Sequence, residues 1–323
     1  MEYTQLTPDF IADALGSMDI YLDSGLLALN SYENRVYRFK NDELGALVVK
    51  FYRPERWCKE QIQEEHGFLT ALSQAGVRVA APMSLQGETL FEYQGRLFAL
   101  WQSVGGRQFE ADNLEQLEAL GEQLGRLHQV GGAFPLRHRP RLTTADYLHQ
   151  SYDMLKQKAQ IKAGSTAREF FGVLERLITK AEPLYRPRHE LTLHCDCHVG
   201  NILWRDGPLL VDFDDCRSGP AVQDIWMMLS GSRQEQLVQL DTILAGYETV
   251  RNFSQAELAL IEPLRAMRMV HHMAWLAARW QDPAFPANFP WFNTDDYWLQ
   301  QTRILSDQLT ALDAPPLSLT SWN

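Results

Sequence analysis

Seven polar side chains fall within one short stretch: His194, Asp196, His198, Asn201, Asp212, Asp214 and Asp215. Between them lie Leu191, Leu193, Ile202, Leu203, Leu209, Leu210 and Val211, which predict short buried strands joined by polar turns. Reactive side chains on turns held by a small sheet are the common construction of a catalytic centre. Carboxylates and an amide oxygen are hard ligands that suit Mg²⁺ far better than zinc. Phosphoryl transfer needs such a set: a carboxylate to orient and deprotonate an attacking hydroxyl, and oxygen ligands for the metal. Asp214 is a further candidate to approach that metal, and Asp215 reads as a loop or cap residue.

The same stretch admits other chemistry. Cys195 and Cys197 flanked by His194 and His198 suggest zinc, but C-x-C matches no common finger and strand side chains alternate faces. His194 and His198 read instead as braces that hydrogen-bond the backbone of the turn, and Asp224 as a buried support for it. A thiol beside Mg²⁺ or Lys50 would have a lowered pKa, which leaves a redox role for Cys195 or Cys197 open.

The elements that must position these residues follow from periodicity. Leu26–Asn30 and Arg35–Phe39 flank the polar turn Ser31-Tyr32-Glu33-Asn34, a hairpin pattern. Ala46–Tyr52 is a β-branched run around one lysine, and Gln61–Gln74 spaces Ile62, Phe68, Leu69 and Leu72 helically. Leu90–Tyr93 and Arg96–Trp101 form a second hairpin across Gln94-Gly95. Beyond Gly105-Gly106, Leu114, Leu117, Leu120, Leu124 and Leu127 recur at threes and fours, a helix that Asp112 or Asn113 could cap. Helical patterns, Met267–Trp280 among them, then run to the end, broken only by the strand-rich island. Residues 1–104 are expected to form a β-rich lobe and 105–323 a larger helical one.

Composition narrows the class. With 323 residues, 45% apolar and 22% charged, the chain is ordinary globular material with ample core. Thirty basic against 41 acidic residues leave a net charge of −11, which disfavours a general nucleic-acid binder. Four cysteines are too few for a disulfide framework, and no signal peptide or membrane span is apparent, so a cytoplasmic setting is the expectation. No coiled-coil heptads appear, and a monomer is expected.

H-x-D-x-x-x-x-N from His194 to Asn201, followed eleven residues later by D-F-D at Asp212, resembles the catalytic and metal loops of the aminoglycoside phosphotransferase/choline kinase superfamily. Its members share the bilobal protein-kinase-like fold, an α+β architecture with a β-rich N-lobe carrying one key helix and a mainly helical C-lobe. A-L-V-V-K ending at Lys50, Glu64-Glu65 in a helix ending L-S-Q-A-G-V-R-V-A-A-P, and G-P-A-V-Q-D from Gly219 to Asp224 are similar to further motifs of that superfamily. S-Y-E-N-R-V-Y, K-F-Y-R-P-E-R-W, S-V-G-G-R-Q-F-E-A-D-N, G-N-I-L-W-R-D-G-P and E-P-L-R-A-M-R are similar to its bacterial stress-response protein kinases, a likeness that runs from about Leu6 to Pro316.

The resemblance implies roles. Asp196 is the expected catalytic base, with Asn201 and Asp212 holding Mg²⁺. Lys50 is expected on the α- and β-phosphates of ATP, oriented by Glu65, with Glu64 as the rival. Ser31 is expected over the phosphates, and Trp101–Val104, Trp101 and Ser103 included, to present backbone groups to adenine. The chain also departs from related patterns. Neither G-x-x-x-x-G-K-[ST] nor the protein-kinase G-x-G-x-x-G is present. Cys195 stands where the superfamily usually has glycine, and Asp214 takes the third position of the DFG-like motif.

The implied acceptor is a serine or threonine of a protein. A small-molecule alcohol is the first alternative, and acidic side chains from the C-terminal helices would favour a cationic one. A nucleotide-binding protein without activity is the second alternative, against which stands the joint presence of Lys50, Asp196, Asn201 and Asp212. A zinc hydrolase built on His194 and His198 is the third. Arg53 and Arg56 read as solvated beside a proline turn, and Arg265 and Arg268 either line a cleft or pair with local acids.

Overall fold

A computed structural model describes residues 6–29, 31, 33–162 and 164–319. Asn30 and Tyr32 of the expected first hairpin lie outside the described residues. Helix α1 (Pro8–Gly16) opens the chain behind Thr7, whose hydroxyl accepts from the Phe10 N–H. Strands β1 (Leu27–Ala28), β2 (Arg35–Asn41) and β3 (Gly45–Phe51) follow, then helix α2 (Lys59–Gln74) and strands β4 (Phe91–Tyr93) and β5 (Arg96–Gln102). They form one antiparallel sheet in the order β1-β2-β3-β5-β4.

Alternation along β3 decides what each face carries. Leu47, Val49 and Phe51 are fully buried against Phe10, Ile11 and Leu15 of α1. Lys50 therefore points to the opposite face, which α2 shares through Ile62, packed with Tyr52 and Ala99. One lysine in an apolar strand is thus aimed at the interior of the molecule.

Beyond β5 the strands change partners. Strand β6 (Arg107–Gln108) pairs with β8 (Ile202–Trp204), which pairs with β9 (Pro208–Leu210), while β7 (Leu191–Leu193) pairs with β10 (Arg217–Gly219). These two small sheets are the expected strand-rich island. Around them pack α3 (Leu114–Ala133), a π-helical turn (Ala145–Gln150) running into α4 (Ser151–Lys158), α5 (Ser165–Ala181), α6 (Gln223–Trp226), α7 (Arg233–Glu248), α8 (Ile261–Arg279), α9 (Ala284–Asn288) and α10 (Asp295–Ala311). Asn113 caps α3 by accepting from the Gln116 N–H at 3.2 Å, and Leu117, Leu120, Leu124 and Leu127 are buried.

Helix α3 runs close enough to β7 to touch its backbone. A Cβ on Gly131 would lie 2.1 Å from the Thr192 carbonyl oxygen, so only glycine lets the helix lie against the strand that feeds the catalytic turn.

Candidate active site

The turn after β7 is held from behind by one carboxylate. Asp224, on the four-residue helix α6, has no solvent exposure. Its Oδ2 accepts from the His194 N–H at 2.9 Å and its Oδ1 from the Cys195 N–H at 2.7 Å. His128 of α3 reaches the same carboxylate at 3.1 Å and bonds the Tyr247 hydroxyl of α7 at 3.0 Å. The turn needs that grip, because Cys195 sits at φ 70°, a left-handed conformation costly for any residue with a Cβ. The conformation explains why glycine is usual at this position in the superfamily.

His194 braces the turn from the other side. Its Nε2 donates to the Val211 carbonyl at 2.9 Å, which leaves Nδ1 to accept from the Asp196 N–H at 3.3 Å. Both ring nitrogens are committed to backbone, so neither has a lone pair to offer zinc. His198 caps the short turn Val199–Asn201, its Nδ1 accepting from the Gly200 N–H at 3.0 Å.

Asp196, Asn201 and Asp212 meet on one cavity of about 790 Å³ between the large sheet and the helical region. The Asn201 side-chain N–H donates to the Asp196 carbonyl at 2.9 Å and reaches its carboxylate Oδ2 at 3.4 Å, so the amide Oδ1 is directed elsewhere. The Asn201 carbonyl accepts from the Val211 N–H at 3.0 Å, which sets Asp212 beside it. Asp212 also adopts a left-handed φ, 61°, and more than half of its side chain faces open space. Asp196 is ion-paired with Arg268 of α8 at 2.7 Å. Burial would raise its pKa, but His198 and Arg268 outweigh burial and hold the carboxyl below its ordinary value. Asp212 is shifted the other way: although its side chain opens onto the cavity, the protein around the cleft keeps bulk water back, and the like charge of Asp214 adds to the rise.

Lys50 reaches this group from β3. Its ammonium pairs with Asp214 and lies 3.9 Å from Asp212, and the Asn34 amide donates to the same Asp214. Burial alone would lower the Lys50 pKa, but Asp214, Glu65 and Asp212 raise it, so the lysine is held charged.

Here the structure corrects the expected pairing. Glu65 is buried on α2 and forms its ion pair with Arg139, while Lys50 is paired with Asp214. Glu65 acts on Lys50 through space, as a buried negative charge. Glu64 points away and accepts from the His138 and Arg139 N–H groups at 2.9 and 2.7 Å. Arg139 also donates to the Asp214 carbonyl at 2.6 Å, tying α2 to the D-F-D turn. Sequence reasoning missed Arg139, although R-H-R-P-R from Arg137 to Arg141 is a basic run with no acid of its own to pair with.

Arg53 and Arg56 are the second correction. Both are mostly buried: Arg56 pairs with Asp215 at 3.0 Å and Asp214 at 3.4 Å, and Arg53 with Asp282 at 2.7 Å and Glu33 at 3.3 Å. Asp215 is therefore no simple cap; Arg56 and Arg217 hold it. Glu33 in turn accepts from the Trp275 indole at 2.8 Å and from Arg279 at 2.9 Å, both on α8. Ser31 lines the cavity at the start of this loop.

Trp101 lies at the back of the same face, its ring 5.6 Å from the Lys50 ammonium. The Ser103 N–H donates to the Ala46 carbonyl at 2.8 Å, so this amide is spent within the sheet and is not offered to adenine.

The thiols bear on the redox reading. Cys195, Cys197 and Cys216 are buried, and burial raises all three pKa values, that of Cys216 to about 12. Burial disfavours the thiolate at all three, which works against a redox role for Cys195 or Cys197. Cys58 is the exposed one. Treatment of the native protein with a maleimide at pH 7 should label about one cysteine of four, Cys58, as read by mass spectrometry. Fast labelling of Cys195 would contradict the burial.

A buried lysine in an antiparallel sheet, facing two carboxylates and an amide on a helical lobe, defines a kinase-like nucleotide cleft. The chain belongs to the phosphotransferase enzyme family, whose pattern it matches over residues 26–261. It is 51% identical over 319 residues to the serine/threonine protein kinase RdoA of Salmonella typhimurium, covering 98% of this chain and 97% of that one. The same identity and coverage hold for stress response kinase A of Escherichia coli K12. In fold it is similar to an amicoumacin kinase solved in complex with AMP-PNP, Ca²⁺ and Ami, at TM-score 0.74 and 19% identity over 98% of both chains. The bilobal kinase-like architecture is that of the family, and the chain is an ATP-dependent kinase.

Proposed function

We propose that this chain transfers the γ-phosphoryl group of MgATP to a serine or threonine hydroxyl of a protein, as part of a bacterial stress response. The observation that carries the proposal is the meeting of Asp196, Asn201 and Asp212 on one cavity, with the Lys50 ammonium 3.9 Å from Asp212 behind it. Those residues match the demands of the reaction. The acceptor oxygen bonds to the γ-phosphorus as the bond to the β–γ bridging oxygen breaks, ADP leaves, and the hydroxyl proton passes to Asp196. Lys50, held charged, offers the ammonium for the phosphates in exchange for Asp214.

The donor set fits a hard divalent cation. The Asn201 amide donates backward to Asp196 and leaves its oxygen available, and the Asp212 carboxylate faces open space. Bound there, Mg²⁺ would neutralise the triphosphate. Asp212→Ala is expected to weaken the apparent Mg²⁺ affinity by at least about 10- to 100-fold, the range seen when outer partners of metal ligands are lost. An unchanged Mg²⁺ titration of ATP turnover would remove Asp212 from the metal.

The name of the half-identical Salmonella typhimurium relative, a serine/threonine protein kinase, supports a protein acceptor. On the α8 side of the cavity the charged groups are Arg268 and Arg279, which favour an acceptor that is not cationic there, although Asp146 of the neighbouring helical turn also lines it. We place the lobe boundary between residues 104 and 105, where the chain passes from the β5 sheet to the β6 pairing. Incubation with γ-labelled ATP and either candidate proteins or a metabolite set tests the acceptor. Label on serine or threonine is expected, and transfer to one metabolite with none to protein would refute it.

A further inference from the structure

The carboxylate of Asp196 is not equally available at its two oxygens. Oδ2 is turned to Asn201 at 3.4 Å and to the His198 ring at 3.5 Å. Oδ1 is sealed from solvent and makes no hydrogen bond among the described residues, and the Arg268 guanidinium stands over it as an ion pair at 2.7 Å. A hydroxyl that reaches Oδ1 must share it with this guanidinium or move it aside. Moving it leaves a partly buried cation in need of another anion, since an ion pair broken on one side is costly.

Arg268 is not alone on that wall. Arg217 of β10 lines the same cavity with nine-tenths of its side chain buried. It bonds Asp215 through Nη2 at 3.3 Å, and its Nε–H has no hydrogen-bond partner among the described residues. The two guanidinium groups act on one imidazole, His271, which they and burial keep neutral, and the neighbouring His272 is kept neutral in the same way by burial and Arg268. Asp215 is already taken by Arg217 and Arg56, and Asp146, which lines the same cavity, is used as well: one oxygen accepts from the Thr143 hydroxyl at 2.9 Å, the other from the Gln150 amide at 2.9 Å.

We infer that the acceptor is an acidic segment of protein, in which a carboxylate within a residue or two of the reacting serine or threonine takes Arg268 from Asp196 Oδ1 as the hydroxyl arrives. The inference rests on the proposed protein acceptor and adds its charge. It gives Arg268 two tasks, closing the base in the absence of an acceptor and reading the acceptor's charge. It also separates this cleft from one built for cationic acceptors, because a lysine or arginine beside the hydroxyl would meet Arg268 and Arg217 as like charges.

The test uses the full chain with MgATP and three sets of single-serine peptides, flanked by Asp or Glu, by uncharged residues, or by Lys or Arg. Initial rates should rank acidic over neutral by at least about tenfold in kcat/KM, with basic peptides lowest. Arg268→Gln should flatten that ranking, and Arg268→Glu should move the preference towards basic flanks, both in protein whose melting curve matches wild type. If a variant does not fold, the wild-type ranking decides by itself. Wild-type rates that are equal across the sets within about twofold, or highest for basic flanks, overturn the inference and leave the kinase reading intact. Transfer to a metabolite with none to any peptide or protein defeats the protein acceptor itself, and the inference falls with it.

Discussion

Asp196→Asn is expected to lower the rate of phosphoryl transfer by about 10²–10⁴-fold, the contribution of a positioned general base. ATP affinity should change by no more than about threefold, because Lys50, the residue proposed to meet the phosphates, is paired with Asp214 and Asp212 and not with Asp196. The substitution keeps the volume of the side chain and an oxygen for the Asn201 N–H, but removes the atom that accepts the proton. Steady-state transfer of labelled phosphate together with a calorimetric ATP titration separates the two effects. A variant that transfers at the wild-type rate would remove Asp196 from the chemistry. One that loses ATP binding as well would show that the turn from His194 to Asn201 had collapsed.

The second large effect concerns stability. Asp224→Ala strands the His194 and Cys195 N–H groups and one face of the His128 ring, all without solvent to replace the lost acceptor. Losing one partner of such a buried network costs about 3–5 kcal/mol. The loss should appear as a lower midpoint in urea denaturation. Cys195 makes the cost local as well as global: freed from Asp224, its left-handed backbone has less to hold it, so activity should fall even in the fraction that stays folded. A loss below about 1 kcal/mol would mean that another group supports the turn.

These effects show which parts of the site could be read without coordinates. Asp196, Asn201 and Asp212 stand close in sequence, and the turn that joins them brings them together almost unaided. Lys50 was legible from a different regularity: one charge in an otherwise buried alternating strand has to face something. Its partner was not legible, because Asp214, Glu65 and Arg139 are all charged, all buried, and far apart along the chain. Which carboxylate takes which cation depends on how α2 sits against the D-F-D turn, a tertiary matter that no spacing encodes. Arg53 and Arg56 illustrate the same limit. Beside a proline they look like a solvated turn, yet apart from Glu33 their acids are Asp214, Asp215 and Asp282, more than 150 positions away. Trp101 lies at the end of β5 and Ser103 just past it, and which amide there points outward is set by the register of β3 against β5.

Helix α8 holds the catalytic carboxylate through Arg268 and, eleven residues on, the loop at the mouth of the cleft through Arg279 and Glu33. At 1.5 Å per residue those two grips are about 16 Å apart on one stiff rod. A rod gripped at its middle and at its C-terminal end carries displacement from one grip to the other. Were an acceptor to displace Arg268, the Arg279–Glu33 pair would be expected to feel it, and any coupling of acceptor to donor binding that resulted would be reciprocal.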